Sequence, residues 1–250
     1  MRICFLVLSA DYLPWRDLFS KCGKATWVKS ISNEIEFDVF EYRAKSLSPI
    51  SSQLVNSLKN SRLKKIFWKR TIDSINFVNV KARDSGVLEC DVSETWDNML
   101  LKTLIVIKFA LDYKEYDYII RINTTTYVNL LELRNYLKST PEYAGAHSEK
   151  EFAPGWSIIL SRNCAKKLVD DSNFPYYQGL KSDDHAIGDI LSGYGIYPRQ
   201  INCPIVTSRA IFSKHELDIK RSVFTRIKSE SVKREQDPEL FELVHNYITG

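Results

Sequence analysis

The sequence predicts an α/β fold with a mostly parallel central sheet flanked by helices, and three observations carry that expectation. Residues 2–9 form a near-continuous apolar run, the pattern of a strand covered on both faces. Residues 95–113 are strongly helix-periodic and run straight into the apolar stretch 117–123. Along the rest of the chain short strand patterns alternate with helical ones, which favours parallel strands joined by crossover helices.

Taken in order, the first strand is followed by a mixed segment at 11–29 and by a second strand at 35–42. Residues 51–72 read as a helix, with Leu54, Val55, Leu58, Ile66 and Phe67 broadly on one face. Short strands are expected at 77–80 and 86–92. The strand at 117–123 breaks at Asn123-Thr124-Thr125-Thr126, and Tyr127-Val128-Asn129 resumes it. A helix at 130–138 ends before Pro141, a strand follows at 142–146, and another at 156–160 leads into a helix at 164–169. Residues 183–192 read as a helix with an acidic first turn, stopped by Gly193 and Gly195. A basic, less regular tail precedes a last helix at 238–248. No repeat, linker or low-complexity segment interrupts the 250 residues, so one domain is expected. Residues 1–129 and 130–250 would form its two halves.

Composition excludes several classes. Hydrophobic residues at 44 % and charged residues at 26 % argue against disorder. The net charge of +4 admits an anionic ligand without requiring nucleic acid, and no aromatic-rich nucleic-acid motif accompanies the basic tail. Cys4, Cys22, Cys90, Cys164 and Cys203 are scattered and form no C-x-x-C, so they read as buried free thiols. The apolar run at 4–10 is too short to span a bilayer and lacks a cleavage region, so the chain as given reads as soluble and cytoplasmic. Arg62, Lys64, Lys65, Lys69 and Arg70, with Phe67 and Trp68, form a basic aromatic segment. Its two readings are a solvated helix face and a weak peripheral contact with an anionic membrane.

Chemistry is expected where parallel strands end, and there the chain places a polar cluster without a carboxylate, Asn123-Thr124-Thr125. The same three residues form a glycosylation sequon that a buried strand end would make inaccessible. Around this point the motifs fall into a recognisable order. Asp91-Val-Ser-Glu-Thr-Trp-Asp-Asn-Met-Leu-Leu-Lys-Thr103 is similar to D-x-x-D-x-Y-x-N-L-T-L-K-T. Asp117-Tyr-Ile-Ile-Arg-Ile-Asn-Thr-Thr-Thr-Tyr-Val-Asn129 is similar to D-Y-x-x-K-x-D-D-D-x-F-V-N. Gly155-Trp-Ser-Ile-Ile-Leu-Ser161 is similar to G-G-G-Y-V-L-S, and Ser182-Asp183-Asp184-His-Ala-Ile-Gly188 to P-D-D-x-T-x-G. Thr26-Trp27 fits an early T-W element. With these motifs the chain resembles, over roughly residues 2 to 200, the β1,3-galactosyltransferase and Fringe-like glycosyltransferases.

The resemblance implies a GT-A fold, with residues 1–129 as its nucleotide-sugar-binding half and 130–250 as its acceptor-binding half, a UDP-sugar donor and an inverting transfer to a hydroxyl of a glycan, glycoconjugate or lipid-linked acceptor. In such a displacement the acceptor hydroxyl needs a general base, and Asp184 matches the family's. Asp183 and His185 flank it, and the bland alternative is that the Asp pair only begins a helix. Ser9, Ala10 and Asp11 follow the first strand, where the base and ribose are received, and Lys102 would approach the nucleotide. Gly155 and Trp156 would border the acceptor, with Trp156 either stacking on a sugar or filling the core.

The departure from the family lies at its metal motif. Asn123, Thr124 and Thr125 stand where it has three acids, and neutral oxygens are poor ligands for Mn²⁺ or Mg²⁺. No metal or other cofactor is therefore expected. Among the cations at 214–234 (Lys214, His215, Lys220, Arg221, Arg226, Lys228, Lys233 and Arg234), Arg226 and Lys228 are the expected clamp for the diphosphate, with His215 a further candidate. The competing reading is a catalytically inactive protein that binds a nucleotide sugar or glycan.

Overall fold

The structure, a computed structural model, describes residues 1–10, 12–30, 36–44, 80–83, 86–90, 92, 94–148, 151–171, 177, 182–231 and 233–250, with only the backbone at 80–83. The helix expected at 51–72, with its basic aromatic segment, lies outside the described residues, as do Asp11 and nearly all of the strand expected at 77–80.

The chain begins with β1 (Arg2–Leu8), α1 (Trp15–Lys21), β2 (Glu36–Ala44), β3 (Val80–Arg83) and β4 (Val87–Cys90). A 3₁₀ turn at Trp96–Asn98 opens α2 (Met99–Tyr113), which leads to β5 (Tyr118–Asn123) and β6 (Thr126–Val128). Then come α3 (Leu130–Leu137), β7 (Tyr143–Ala146), β8 (Ile158–Ser161), α4 (Arg162–Asp170) and α5 (Asp183–Ser192). The remainder holds β9 (Arg199–Ile201), β10 (Ile205–Val206), α6 (Arg209–Lys214), α7 (Glu216–Arg221), β11 (Phe224–Ile227) and α8 (Asp237–Thr249). The tail read as irregular thus contains five short elements, too brief for either period to register in the sequence.

The fold is mixed α/β with a mostly parallel central sheet flanked by helices. Its strand order is β3-β4-β2-β1-β5-β8-β7-β9. β4, β2, β1 and β5 are parallel, and β7 and β9 share their direction, while β8 and β3 run against it. Alternation along β1 sends Cys4 and Leu6 into one core and Ile3, Phe5 and Val7 into the other, all fully buried. This is why the first strand reads as continuously apolar.

The first core is built on α2, of whose 15 residues ten are buried, from Leu100 to Ala110. The helix lies against β1, β2 and β4 on one side and α4 and α5 on the other, so it is apolar nearly all round. The second core gathers Trp27, Phe19, Tyr127 and Phe241. Cys4, Cys22, Cys90 and Cys164 are buried and unpaired, and Cys203 is half-buried and unpaired. No helix among the described residues is long and apolar enough to cross a membrane.

A second sheet, β10-β11-β6, positions the site. β6 follows the break after Asn123 and pairs antiparallel with β11, which sets Arg226 opposite Thr126. The Ile227 N–H donates to the Thr125 carbonyl at 2.9 Å. A residue a hundred positions downstream is thereby fixed beside the polar strand end.

Candidate functional site

β1 and β5 pair in register, Leu8 opposite Asn123, so their carboxyl ends open side by side. Here lies a cleft of about 280 Å³. Leu8, Ser9 and Ala10 line it from β1, Asn123 and Thr124 from β5, and Glu94, Trp96, Met99 and Lys102 from the approach to α2. Tyr12, Trp15 and Arg226 complete the wall. Six of the residues expected to meet a donor therefore converge: Ser9, Ala10, Lys102, Asn123, Thr124 and Arg226. Two hollows of about 390 and 440 Å³ lie elsewhere, against α3 and against α1. Among the described residues neither holds a buried charge without a hydrogen-bond partner.

Arg226 is what sets the cleft apart. Its Nη1 is buried with no hydrogen-bond partner among the described residues. Burial first, then the charges of Arg234 and Arg121, push its pKa down to about 10, still cationic at neutral pH. Asp237 offsets part of this, and an anion placed against the buried Nη1 would recover more of the cost of desolvating the charge. Its guanidinium lies 5.8 Å from the Trp156 ring centroid. Arg234, at a left-handed φ of 58°, stacks 5.5 Å from Trp15 and pairs with Asp237 at 3.4 Å, tying the following segment to the cleft wall. Lys228 is exposed just beyond β11 and does not line the cleft. His215 is exposed and paired with Asp218 at 3.3 Å. The structure thus brings one member of the expected cationic pair to the site and leaves the other outside it.

Lys102 does reach the cleft, but its charge is engaged. It is 2 % exposed, and its Nζ lies 2.5 Å from Glu94 Oε1 and 3.4 Å from the Ser9 carbonyl. Glu94 also accepts from the Ala44 N–H at 3.0 Å. The pair ties α2 to the ends of β1 and β2.

Behind the cleft runs a buried polar network centred on Arg121 of β5. Nη2 donates to Asp183 Oδ2 at 2.7 Å, and Nη1 to Asn123 Oδ1 at 2.8 Å and to the Gly155 carbonyl. Thr103 donates to the same Asp183 oxygen at 2.8 Å, and Tyr42 lies 3.2 Å from Thr103. Burial opposes the Arg121 charge, but Asp183, Tyr42 and Asp184 hold its pKa above the usual value. A Cβ on Gly155 would collide with this guanidinium, which explains glycine there. Asp183, expected beside the acceptor, is instead 3 % exposed, with its carboxylate engaged by Arg121 and Thr103.

Asp184 is half-buried at the start of α5. Oδ2 accepts from the Gly155 N–H at 2.9 Å, and Oδ1 accepts from Ser182 Oγ and from the His185 N–H at 2.9 Å. Burial pushes its pKa up, but those hydrogen bonds and the Arg121 charge win and hold it below the usual carboxylate range. His185 sets its ring edge-on to Phe152 at 3.9 Å. The structure therefore brings Gly155, Asp183, Asp184 and His185 together, and Arg121 links them to the cleft floor through Asn123. Trp156 stands beside Arg226, half-buried, with its carbonyl accepting from Thr126 at 2.9 Å.

The donor set does not fit the divalent cation that the family resemblance implies. Thr124 and Thr125 are neutral, Asn123 turns an oxygen to Arg121, and Glu94 is paired with Lys102. No group of three His, Cys, Asp or Glu residues lies together among the described residues.

Sequence reasoning gave no role to Tyr12, Trp15, Glu94, Trp96 or Arg121. A signal existed for the last: an arginine inside an apolar strand must have a partner. The aromatic residues carried none, because a cleft-lining Trp and a surface Trp look alike in sequence.

No family model matches the chain, and no curated protein matches it. Among solved structures it is similar to the galactosyltransferase LgtC in complex with donor and acceptor sugar analogs, at 12 % identity over 100 % of this chain and 97 % of that one, with a TM-score of 0.46. An active-site mutant of LgtC gives 10 % identity, the same coverage and a TM-score of 0.47. The apo-form glycosyltransferase GlyE of Streptococcus pneumoniae TIGR4 gives 11 % identity over 98 % of this chain and 59 % of that one, with a TM-score of 0.41.

Proposed function

We propose that this chain is a glycosyltransferase of GT-A type that binds a UDP-sugar in the cleft at the ends of β1 and β5 and moves its sugar to an acceptor hydroxyl with inversion, without a divalent cation. One observation carries the reading: half-buried Arg226 keeps an Nη1 that is buried without a hydrogen-bond partner among the described residues, at the strand end where the resemblance puts the donor diphosphate. A guanidinium binds phosphate oxygens in directed, charge-assisted hydrogen bonds and so supplies the positive charge that departure of UDP requires. The base would lie near Ser9 and Ala10, within reach of the exposed rings of Tyr12 and Trp96.

In the transfer the acceptor oxygen forms the new bond to the anomeric carbon and gives its proton to Asp184. The bond from that carbon to the phosphate oxygen breaks, and UDP leaves with the electron pair. Trp156, beside Arg226, would border the sugar. The acceptor class is a glycan, a glycoconjugate or a lipid-linked sugar.

A second reading, an inactive binder of nucleotide sugars, is favoured by the state of Asp184. Three donors hold its carboxylate at a depressed pKa, which makes it a weak base. A thermal-shift screen of UDP and UDP-sugars in EDTA tests donor binding, because a ligand of the folded state raises the melting temperature. Stabilisation with release of UDP on addition of acceptor sugars supports the transferase, stabilisation without turnover supports the binder, and no stabilisation by any UDP compound refutes the UDP-sugar transferase.

A further inference from the structure

A guanidinium carries five donors and no acceptor. Whatever atom Arg121 meets at hydrogen-bonding distance is therefore an acceptor, and at 2.8 Å that atom is the side-chain oxygen of Asn123. The amide of Asn123 is thus fixed in orientation, with its carbonyl turned to the buried arginine. Asn123 also lines the cleft, so the face left for a ligand is the NH₂ group.

Resting on the reading of the cleft as a UDP-sugar site, we infer that Arg121 sets the polarity of its floor. By holding the carbonyl of Asn123, Arg121 presents that residue's NH₂ as a second donor, which joins Arg226 in binding oxygens of the diphosphate directly. An acid at position 123 would satisfy Arg121 better than an amide does, but its second oxygen would face the diphosphate and repel it unless a cation stood between them. The neutral amide removes that repulsion and turns an acceptor into a donor. Thr125, expected to meet the donor as well, is fully buried and does not line the cleft. Arg121 is 2 % exposed and acts through Asn123, so it is a positioning residue.

Asn123→Asp tests this with almost no change of shape, and the carboxylate gains an ion pair with Arg121, so the fold is expected to hold. UDP is titrated calorimetrically into wild type and variant, first in EDTA and then with excess Mn²⁺. In EDTA the variant should bind UDP about tenfold or more weakly than wild type, as for the loss of one hydrogen bond to a charged group. Mn²⁺ should recover part of the loss in the variant and change wild type little, a response that a purely structural role for Asn123 would not produce. Asn123→Ala should lose several-fold affinity with no response to Mn²⁺, and it decides the matter if the Asp variant fails to fold. Equal affinity of wild type and a folded Asp or Ala variant in EDTA would overturn the inference while leaving the cleft reading intact. Wild type that binds no UDP would remove the cleft reading itself.

Discussion

At the scale of single residues, charge accounting separates the groups that can act from those already engaged. Lys102 and Asp183 are buried and engaged by their partners, whereas Arg226 keeps an Nη1 that is unpartnered among the described residues. Lys228→Ala, at an exposed position outside the cleft, should change UDP affinity by no more than about twofold, the range of surface substitutions. Asp184→Asn should lower transfer by a factor of about 10²–10⁴ with donor affinity nearly unchanged, seen as a fall in kcat at constant KM. Full activity in that variant would remove Asp184 from the chemistry. The depressed pKa of Asp184 also has a stability consequence. A carboxylate whose folded pKa is lowered stabilises the fold above its unfolded pKa, about 3.9, and loses that contribution as pH falls through the folded value. The difference in melting temperature between wild type and Asp184→Asn should therefore be largest near neutral pH and shrink below about pH 4.

At the scale of elements, the polar network locks α5 and the loop before β8 against β5. Arg121→Met would leave Asp183 buried with its charge unpaired, and urea unfolding should show a loss of about 3–5 kcal/mol. Gly188 on α5 faces Phe152, and a Cβ there would collide with that side chain. Gly188→Ala should destabilise by about 1–3 kcal/mol and displace the helix that carries Asp184. Loss of transfer in Gly188→Ala with unchanged UDP affinity would place the damage on the Asp184 side of the site. Long or strongly patterned elements were legible in the sequence. α5 begins at Asp183 and ends at Ser192 as its acidic first turn and glycine stop imply, and β1 and α2 carry patterns that only full burial explains. β9, β10 and β11, of two to four residues each, were not legible, because strands so short exist only through pairing with distant partners.

At the scale of the whole molecule, the site joins segments far apart in the chain: the end of β1, the break after β5 and the strand carrying Arg226. The sequence shows which residues could carry charge at a strand end but not which tail cation arrives there, because that choice depends on the register of β11 with β6. Arg226 and Lys228 are two positions apart and chemically alike, yet only Arg226 sits opposite Thr126 inside the second sheet. The central claim is that this arginine, with no divalent cation, holds the donor diphosphate. Calorimetric titration of UDP into wild type and Arg226→Ala, both in excess EDTA, tests it most directly. The expected result is saturable binding by wild type and a loss of about 1.5–3 kcal/mol in the variant, roughly 10- to 150-fold in affinity. Binding that appears only when Mn²⁺ is restored, or that is equally tight in Arg226→Ala, would contradict it.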